Sequence, residues 1–376
     1  MISMDRNTGT GTGSRLTVLF AESSKNFGGQ ERRIVHEARL LRDAGHCPLI
    51  LCPPDALLCA RAQEAGLVVV GVPMRNAVHP AAISSFCTVI RREGVDVIYS
   101  HSAKDSWLGG IASLLTGVPL VRSRELLNPI KRAISYNLLP KRVLACSNAV
   151  REHLVAAGVD SRKIRVQYPP VATARFASVI DEERLNTRRE LGLDGHFPVI
   201  ACVAGFRGEK RQEDLIRAMA LIRRPFPTAR LVLAGSGWYV ANLRGFAEEA
   251  GVADLVDCPG EREDVPALLA NTDVFVLPSS MEPFGMSPVE AMAAGVPVVV
   301  TRTGGLAEIV TDGVDGIQVP VGDPPAIADA IIRICNDRQL RDRLAAAGLR
   351  RASDFDEARA IEALLGHFND VIARRI

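Results

Sequence analysis

Two glutamates, Glu282 and Glu290, stand with seven residues between them in the stretch MEPFGMSPVEAMAAGVP, residues 281–297. A Pro-Phe-Gly bend and a Ser-Pro pair separate them. At that spacing they could be a catalytic pair, a clamp on ligand hydroxyls, or the punctuation of a helix start. The strand-like DVFVLPSS precedes them and the helix-like PVEAMAAG follows. Ser287, Pro288 and Glu290 fit the N-cap, N1 and N3 positions of a capping box, which accounts for Glu290 without any ligand. It leaves Glu282 unexplained, five residues before that cap. Gly285, Met286 and Ser287 would present backbone N–H groups at a helix N-terminus, where the macrodipole favours phosphate. A carboxylate beside phosphate costs electrostatic energy unless it accepts from hydroxyls. Phosphate on the amides and hydroxyls on the carboxylates together describe a nucleotide sugar.

Other candidates fall in loops that follow strand-like segments. AESSKNFGGQERR, residues 21–33, offers Gly28 and Gly29, where backbone could approach a ligand closely or simply turn. It is not a dinucleotide fingerprint, and the run Gly9, Gly11, Gly13 precedes its strand. YSHSAKDSW brings His101, Lys104 and Asp105 to a strand end. A histidine there can donate to a substrate hydroxyl or phosphate, or be satisfied by nearby backbone. VAGFRGEKRQEDL sets Arg207 and Lys210 to reach a diphosphate, the plainer reading being a solvated basic turn.

These loops need a scaffold that aims them. Short apolar strands alternate with amphipathic helices along the whole chain, the pattern of buried parallel sheets. Gly45, Gly66, Gly94, Gly117 and Gly158 fall where helices should stop. The alternation pauses over 167–198 and then restarts. The expectation is two tandem doubly wound α/β domains, 15–174 and 175–355, with a helix at 356–376 that has no strand after it. Ligands bind such sheets at the carboxyl ends of strands, so two domains would face their loops toward a shared cleft.

Composition narrows the class. The chain has 376 residues, 47% hydrophobic and 23% charged, and no apolar run of membrane-spanning length. The polar, glycine-rich start has no apolar core of a secretory signal, so residues 1–14 read as a loose tail on a cytoplasmic protein. The eight cysteines do not cluster at a zinc spacing and read as buried free thiols. Net charge is +2, but residues 1–175 carry 23 Lys and Arg against 13 Asp and Glu, +10, leaving −8 for the rest. A basic first half suggests an anionic partner rather than nucleic acid. KRAISYNLLPKR, residues 131–142, reads as a helix with charged ends, or as a basic and apolar segment that docks on anionic lipid or a phosphorylated acceptor.

GGQERRIVHEARLLRDAGH, HSAKDSW, GEKRQEDLIRA, LVLAGSG and PSSMEPFGMSPVEAMAAGVPVVVTRTGGLAEIV resemble the motifs of a family 4 retaining glycosyltransferase of the GT-B fold. The last is an E-x7-E signature in its E-P-F-G context, and the likeness runs from about residue 16 to 374. Within the family, the chain looks most like bacterial enzymes of lipopolysaccharide or other surface-glycan synthesis. The resemblance implies that Glu282 meets the donor sugar near the reacting centre. Phe284, Gly285, Met286 and Ser287 give backbone contacts to sugar and diphosphate. Glu290 holds ribose hydroxyls, Arg207 and Lys210 neutralise the leaving diphosphate, and Gly28 and Gly29 touch phosphate. His101 binds the transferred sugar. Lys104, Asp105, Arg124, Lys131 and Arg132 are assigned to the acceptor or a membrane surface, and the final helix crosses back to the first domain. Three departures stand out: Gly205 where the family has arginine, Glu125 where relatives often carry histidine, and Gly235-Ser236-Gly237-Trp238 in place of Gly-Asp-Gly-Pro.

The expected reaction is front-face transfer of a sugar to a hydroxyl with retention, the leaving phosphate taking the proton. No cofactor or metal is expected, since the nucleotide sugar is a co-substrate and helix terminus and cations can stabilise the leaving group. The partners expected are the nucleotide sugar and a glycan or lipid-linked anionic acceptor at the cytoplasmic face of the inner membrane. An epimerase, a hydrolase or phosphorylase, and a non-catalytic scaffold are the rivals.

Overall fold

The computed structural model describes residues 15–373, so the expected tail at 1–14 and the last three residues lie outside the described residues. Seven parallel strands form the first sheet: β1 (Thr17–Ala21), β2 (Cys47–Cys52), β3 (Val68–Gly71), β4 (Val97–Ser100), β5 (Leu120–Arg124), β6 (Arg142–Ala145) and β7 (Ile164–Val166). Their order is β3-β2-β1-β4-β5-β6-β7. Six form the second: β8 (Val199–Val203), β9 (Arg230–Ala234), β10 (Val256–Gly260), β11 (Val274–Leu277), β12 (Val298–Thr301) and β13 (Ile317–Val319), also parallel, in the order β10-β9-β8-β11-β12-β13.

Helices follow nearly every strand, which makes each sheet doubly wound. Central strands such as β4 and β11 are buried along their whole length, which is why they read as unbroken apolar runs rather than alternating ones. All five stop-signal glycines have left-handed backbone. Strand order reverses between β1 and β4 in one sheet and between β8 and β11 in the other. Those are the switch points at which such sheets bind ligands, and the donor-site candidates lie in the loops that follow these four strands, whereas Arg124, Lys131 and Arg132 lie at and after β5.

The chain divides into two compact units. Among the described residues the first takes 15–146, Arg151–Pro170 and 360–373; the second takes Ser147–Val150 and Val171–Arg359. The helix Glu357–Ala373 thus starts in the second unit and continues in the first. There Ile361, Leu364, Phe368 and Val371 join one core with Val18, Phe20, Ile34, Leu41, Val97 and Tyr99. Burying an apolar side chain of that size contributes roughly 1.5–3 kcal/mol, so the helix is integral to the first unit. Its Phe368 ring meets Tyr99 edge-on at 5.3 Å.

Two local expectations fail. Residues 131–142 are not one helix, because only Ile134–Asn137 is helical and Arg142 already belongs to β6, buried and paired with Asp370. Pro140 lacks the N–H and the free φ that an α-helix interior requires. β7 is also absent from the sequence reading, since three residues with an exposed Arg165 carry almost no strand signal. All eight cysteines are free, four of them buried and four half-buried. Among the described residues no helix is long and apolar enough to cross a membrane.

Candidate functional site

The loop after β11 is fixed from three sides. Ser280 N–H donates to the Glu209 carbonyl at 2.8 Å and Gly305 N–H to the Glu282 carbonyl at 2.8 Å. The Thr301 and Thr303 hydroxyls donate to the carbonyls of Ser279 and Ser280. A Cβ on Gly304 would lie 2.1 Å from the Glu282 carbonyl oxygen, and one on Gly305 2.5 Å from the Phe284 Cα. The glycines of TRTGG therefore clamp the EPFG turn. Sequence reasoning gave them no role, although a Gly pair directly after a buried strand is a signal of close backbone approach.

That clamp brings Glu282 and Lys210 together. Lys210 Nζ donates to Glu282 Oε2 at 2.5 Å, and the Ser279 hydroxyl donates to the same oxygen at 3.2 Å. Both side chains are largely buried. Phe284 is buried against Phe355, its side chain an anchor that leaves only backbone for a ligand.

The capping-box expectation is wrong. The helix is Met286–Ala293 with Gly285 at its N-cap, φ 104°, and no side chain caps it. Ser287 is inside the first turn and Glu290 is too far along to reach back. The reason is the bend itself: Gly285 takes a left-handed conformation that lets helix geometry begin two residues earlier than the Ser-Pro signal suggests. The Met286 and Ser287 N–H groups are left without a side-chain cap. Glu290 has no hydrogen bond or ion pair to its carboxylate among the described residues, and burial pushes its pKa up to about 7 against the weaker opposing pull of Arg175.

Arg207 and Lys210 are not equivalent. Arg207 is exposed, 3.6 Å from Glu209, and its guanidinium lies over Gly205, where a Cβ would come within 3.5 Å of it. Arg211, with φ 50°, is committed to Asp214 by two hydrogen bonds of 2.6 and 3.0 Å. A Cβ on Gly235 or Gly237 would lie 2.0 or 2.3 Å from the carbonyl oxygens of Ala204 or Phe206, so the glycines of GSGW are needed for packing against the β8 loop.

In the first unit, Gly28 and Gly29 open the helix Gly29–Asp43, and Glu31 accepts from the Gly28 N–H at 2.7 Å. Neither glycine has left-handed backbone, and a Cβ on Gly29 would meet nothing within 4 Å. His101 is buried, its ring 4.4 Å from that of Tyr99, and Nδ1 is 3.3 Å from the Ala21 carbonyl. Burial, reinforced by Arg33, pushes its pKa down to about 3. The imidazole is neutral at working pH, and because a carbonyl only accepts, Nδ1 carries the proton. Nε2, which has no partner, is then an acceptor. The expected donation to a phosphate is therefore corrected: His101 can accept from a sugar hydroxyl.

Asp105 is corrected too. It is fully buried and accepts from the His101 N–H at 2.9 Å, the Ser102 N–H at 3.0 Å and the Ser23 hydroxyl at 2.9 Å, so it caps its own helix and holds the histidine loop instead of meeting an acceptor. Burial and the nearby Glu22 carboxylate raise its pKa. Arg124 folds its own loop by donating to the carbonyls of Leu126 and Asn128 at 2.8 and 2.6 Å. Lys104 is half-buried on the first helical turn, and Lys131 and Arg132 are exposed.

Sequence reasoning missed a buried polar group at the same sheet end. Arg33 pairs with Glu37 at 2.7 Å and lies 3.7 Å from Glu125. Glu22 accepts from the Ser24 N–H at 2.7 Å and from the Gln30 amide at 2.5 Å. Burial pushes Glu125 up to about 7 despite Arg33. The only visible signal was the charge run ERRIVHE, which reads as a solvated face. Among the described residues no group of three or more His, Cys, Asp or Glu could hold a metal ion.

Comparison with known proteins follows the same division. The family description "Glycosyltransferase Family 4" matches residues 27–175 and "Glycosyl transferases group 1" matches 183–351. A D-inositol 3-phosphate glycosyltransferase of Salinispora arenicola is 33% identical over 310 residues, 74% of this chain and 69% of that protein. A GDP-mannose-dependent alpha-(1-6)-phosphatidylinositol monomannoside mannosyltransferase of Mycolicibacterium smegmatis is 31% identical, over 69% of this chain and 74% of that protein. The crystal structure of Anabaena HepE with UDP-glucose superposes with a TM-score of 0.83 at 25% identity, covering 95% of this chain and all of that one.

Proposed function

The chain belongs to glycosyltransferase family 4 and is a glycosyltransferase of the GT-B fold, and from that premise we propose that it transfers a sugar from a nucleotide diphosphate to a hydroxyl with retention of anomeric configuration. The acceptor is a glycan or lipid-linked molecule of cell-surface polysaccharide or lipopolysaccharide synthesis, met at the cytoplasmic face of the inner membrane. The observation that carries the donor half is Glu290: a half-buried carboxylate without a hydrogen-bond or ion-pair partner among the described residues, on a helix whose first N–H groups are uncapped. A ribose offers that carboxylate two hydroxyl donors, and the helix start takes the phosphates.

The Lys210–Glu282 pair supports the other half of the donor site. Without ligand the two neutralise each other. An incoming diphosphate competes for Lys210 and turns Glu282 toward the sugar hydroxyls. Lys210, Arg207 and the helix start then stabilise the charge that develops on the leaving diphosphate. Gly28 and Gly29 approach phosphate with bare backbone, and His101 accepts from a hydroxyl of the transferred sugar. Names of relatives support the donor class, since one acts with GDP-mannose and one neighbour holds UDP-glucose.

Membrane contact is supported by the loop after β5. Lys131, Arg132 and Lys141 are exposed there beside exposed Leu126, Ile134 and Leu138. Each basic residue near an anionic surface contributes about 1 kcal/mol. The experiment for the whole proposal is product analysis by proton NMR after incubation with UDP- and GDP-sugars and a polyol acceptor. An axial donor should give an axial product. An inverted product contradicts retention, and free sugar with no acceptor adduct favours a hydrolase.

A further inference from the structure

We infer that Ser147 is a positioning residue of the donor site, whose hydroxyl sets the backbone that aims Glu282 at the transferred sugar; this rests on the transferase reading above. Ser147 follows β6, and the short stretch Ser147–Val150 belongs to the second unit. Its side chain is fully buried. The Ser147 hydroxyl donates to the Pro283 carbonyl at 2.5 Å, a bond between residues 136 apart in the chain. The same oxygen accepts from the Val150 N–H at 3.2 Å, in the first turn of the helix Asn148–Ala156. A carbonyl only accepts, so the single hydroxyl proton is committed to Pro283, and a lone pair on the oxygen caps the helix.

Capping alone would account for a serine here, and the second bond is what ties it to the site. The Glu282 carbonyl takes the Gly305 N–H at 2.8 Å, and the next carbonyl, that of Pro283, takes Ser147. Two consecutive peptide planes are each pinned by a different element. Each plane is rigid and the proline ring fixes its own φ, so little rotation is left between Glu282 and Phe284. That path sets the direction of the Glu282 side chain relative to the left-handed Gly285 and the helix start at Met286. Gly305 also lies against the same carbonyl, since a Cβ on it would be 2.6 Å from the Pro283 oxygen. The segment that carries Ser147 is itself held. Glu308 accepts from the Asn148 N–H and from its side-chain amide, both at 2.7 Å, and Arg351 donates to the Glu308 carbonyl at 2.9 Å. Without the hydroxyl, Phe284 stays anchored on Phe355 and keeps the phosphate-binding helix start in place, while the carboxylate that meets the sugar loses its fixed direction.

Calorimetry on the full chain tests this by comparing UDP and GDP with whichever UDP- or GDP-hexose the parent binds tightest. Ser147→Ala and Ser147→Gly lose the same proton; alanine keeps the backbone stiff, and glycine is tolerated at a helix N-cap. Asn148→Ala removes a bond from the same segment to Glu308 without touching Pro283. We expect both Ser147 variants to bind the diphosphate as the parent does and the nucleotide sugar about tenfold more weakly, the worth of one hydrogen bond to a charged group. Asn148→Ala should bind both ligands as the parent does. An unchanged ratio of the two affinities in the Ser147 variants, an equal loss for both ligands, or the same selective loss in Asn148→Ala overturns the assignment. Amide exchange across residues 282–287 without ligand is followed on the same samples. Faster exchange with an unchanged affinity ratio makes Ser147 a structural residue only, which also overturns it. Failure of every nucleotide to bind the parent strikes the transferase reading instead.

Discussion

Gly28-Gly29 follows β1 and Gly304-Gly305 follows β12, and the same dipeptide meets opposite surroundings in the two units. At Gly304-Gly305 a side chain has no room: Gly304 has φ +46°, and a Cβ on either residue would drive into the backbone of the EPFG turn. At Gly28-Gly29 nothing approaches a Cβ closer than 3.4 Å, and neither residue has left-handed backbone. Gly304-Gly305 holds the EPFG turn in shape. Gly28-Gly29 has room for a Cβ at both positions, and the proposed function gives that open backbone to phosphate. Two glutamates repeat the contrast. Glu282 is buried and paired with Lys210, whereas Glu290 is half-buried with no hydrogen-bond or ion-pair partner among the described residues.

The largest effect should come from breaking the paired glutamate. Glu282→Gln should lower kcat by about 10²–10³, in the range seen when one transition-state contact is removed, with nucleotide affinity little changed. Steady-state kinetics with donor varied checks this, and an unchanged kcat would remove Glu282 from the chemistry. Next, Gly305→Ala should destabilise the protein by about 3 kcal/mol through overpacking against backbone, read from urea midpoints. Gly29→Ala sharpens the comparison from the other side. It should leave stability unchanged or raise it by about 0.5 kcal/mol, yet raise the donor KM several-fold.

Glu290→Gln separates a ligand role from a structural one by its pH dependence. The folded pKa is raised from 4.5 to about 7. Favourable protonation of the folded state is therefore fully present below about pH 4.5 and is lost as pH rises through about 7. Glutamine removes that loss, so the variant should be more stable than the parent at pH 8, on the order of 1 kcal/mol, and no more stable at pH 4. A helix-capping glutamate would give the opposite sign at pH 8.

How much of this was legible depended on how locally each feature is encoded. The strand runs, the stop glycines and the E-x7-E stretch are local, whereas the strand order that sets both switch points comes from the fold. The start of the helix at Met286 was misread because a Ser-Pro-x-Glu signal competes with a glycine that can turn left-handed, and sequence alone does not rank them. Asp105 was misassigned because a capping acid and a ligand acid look alike until burial is known. The Arg33, Glu37, Glu125 and Gln167 group was invisible, since its members come from the first helix and two strand ends up to 134 residues apart. Arg142 looked like surface charge and is a buried partner of Asp370, a pairing 228 residues long in sequence.

The most direct test of the central claim is a calorimetric and thermal-shift titration of UDP, GDP, ADP and CMP against the parent protein, Lys210→Ala and Glu290→Gln. A diphosphate at 100 times its Kd should stabilise the parent by about 2.7 kcal/mol. The account predicts such a shift for one diphosphate, strongly reduced in both variants, with the preferred base read from the same panel. A shift that survives intact in both variants, or no shift with any nucleotide, would contradict it.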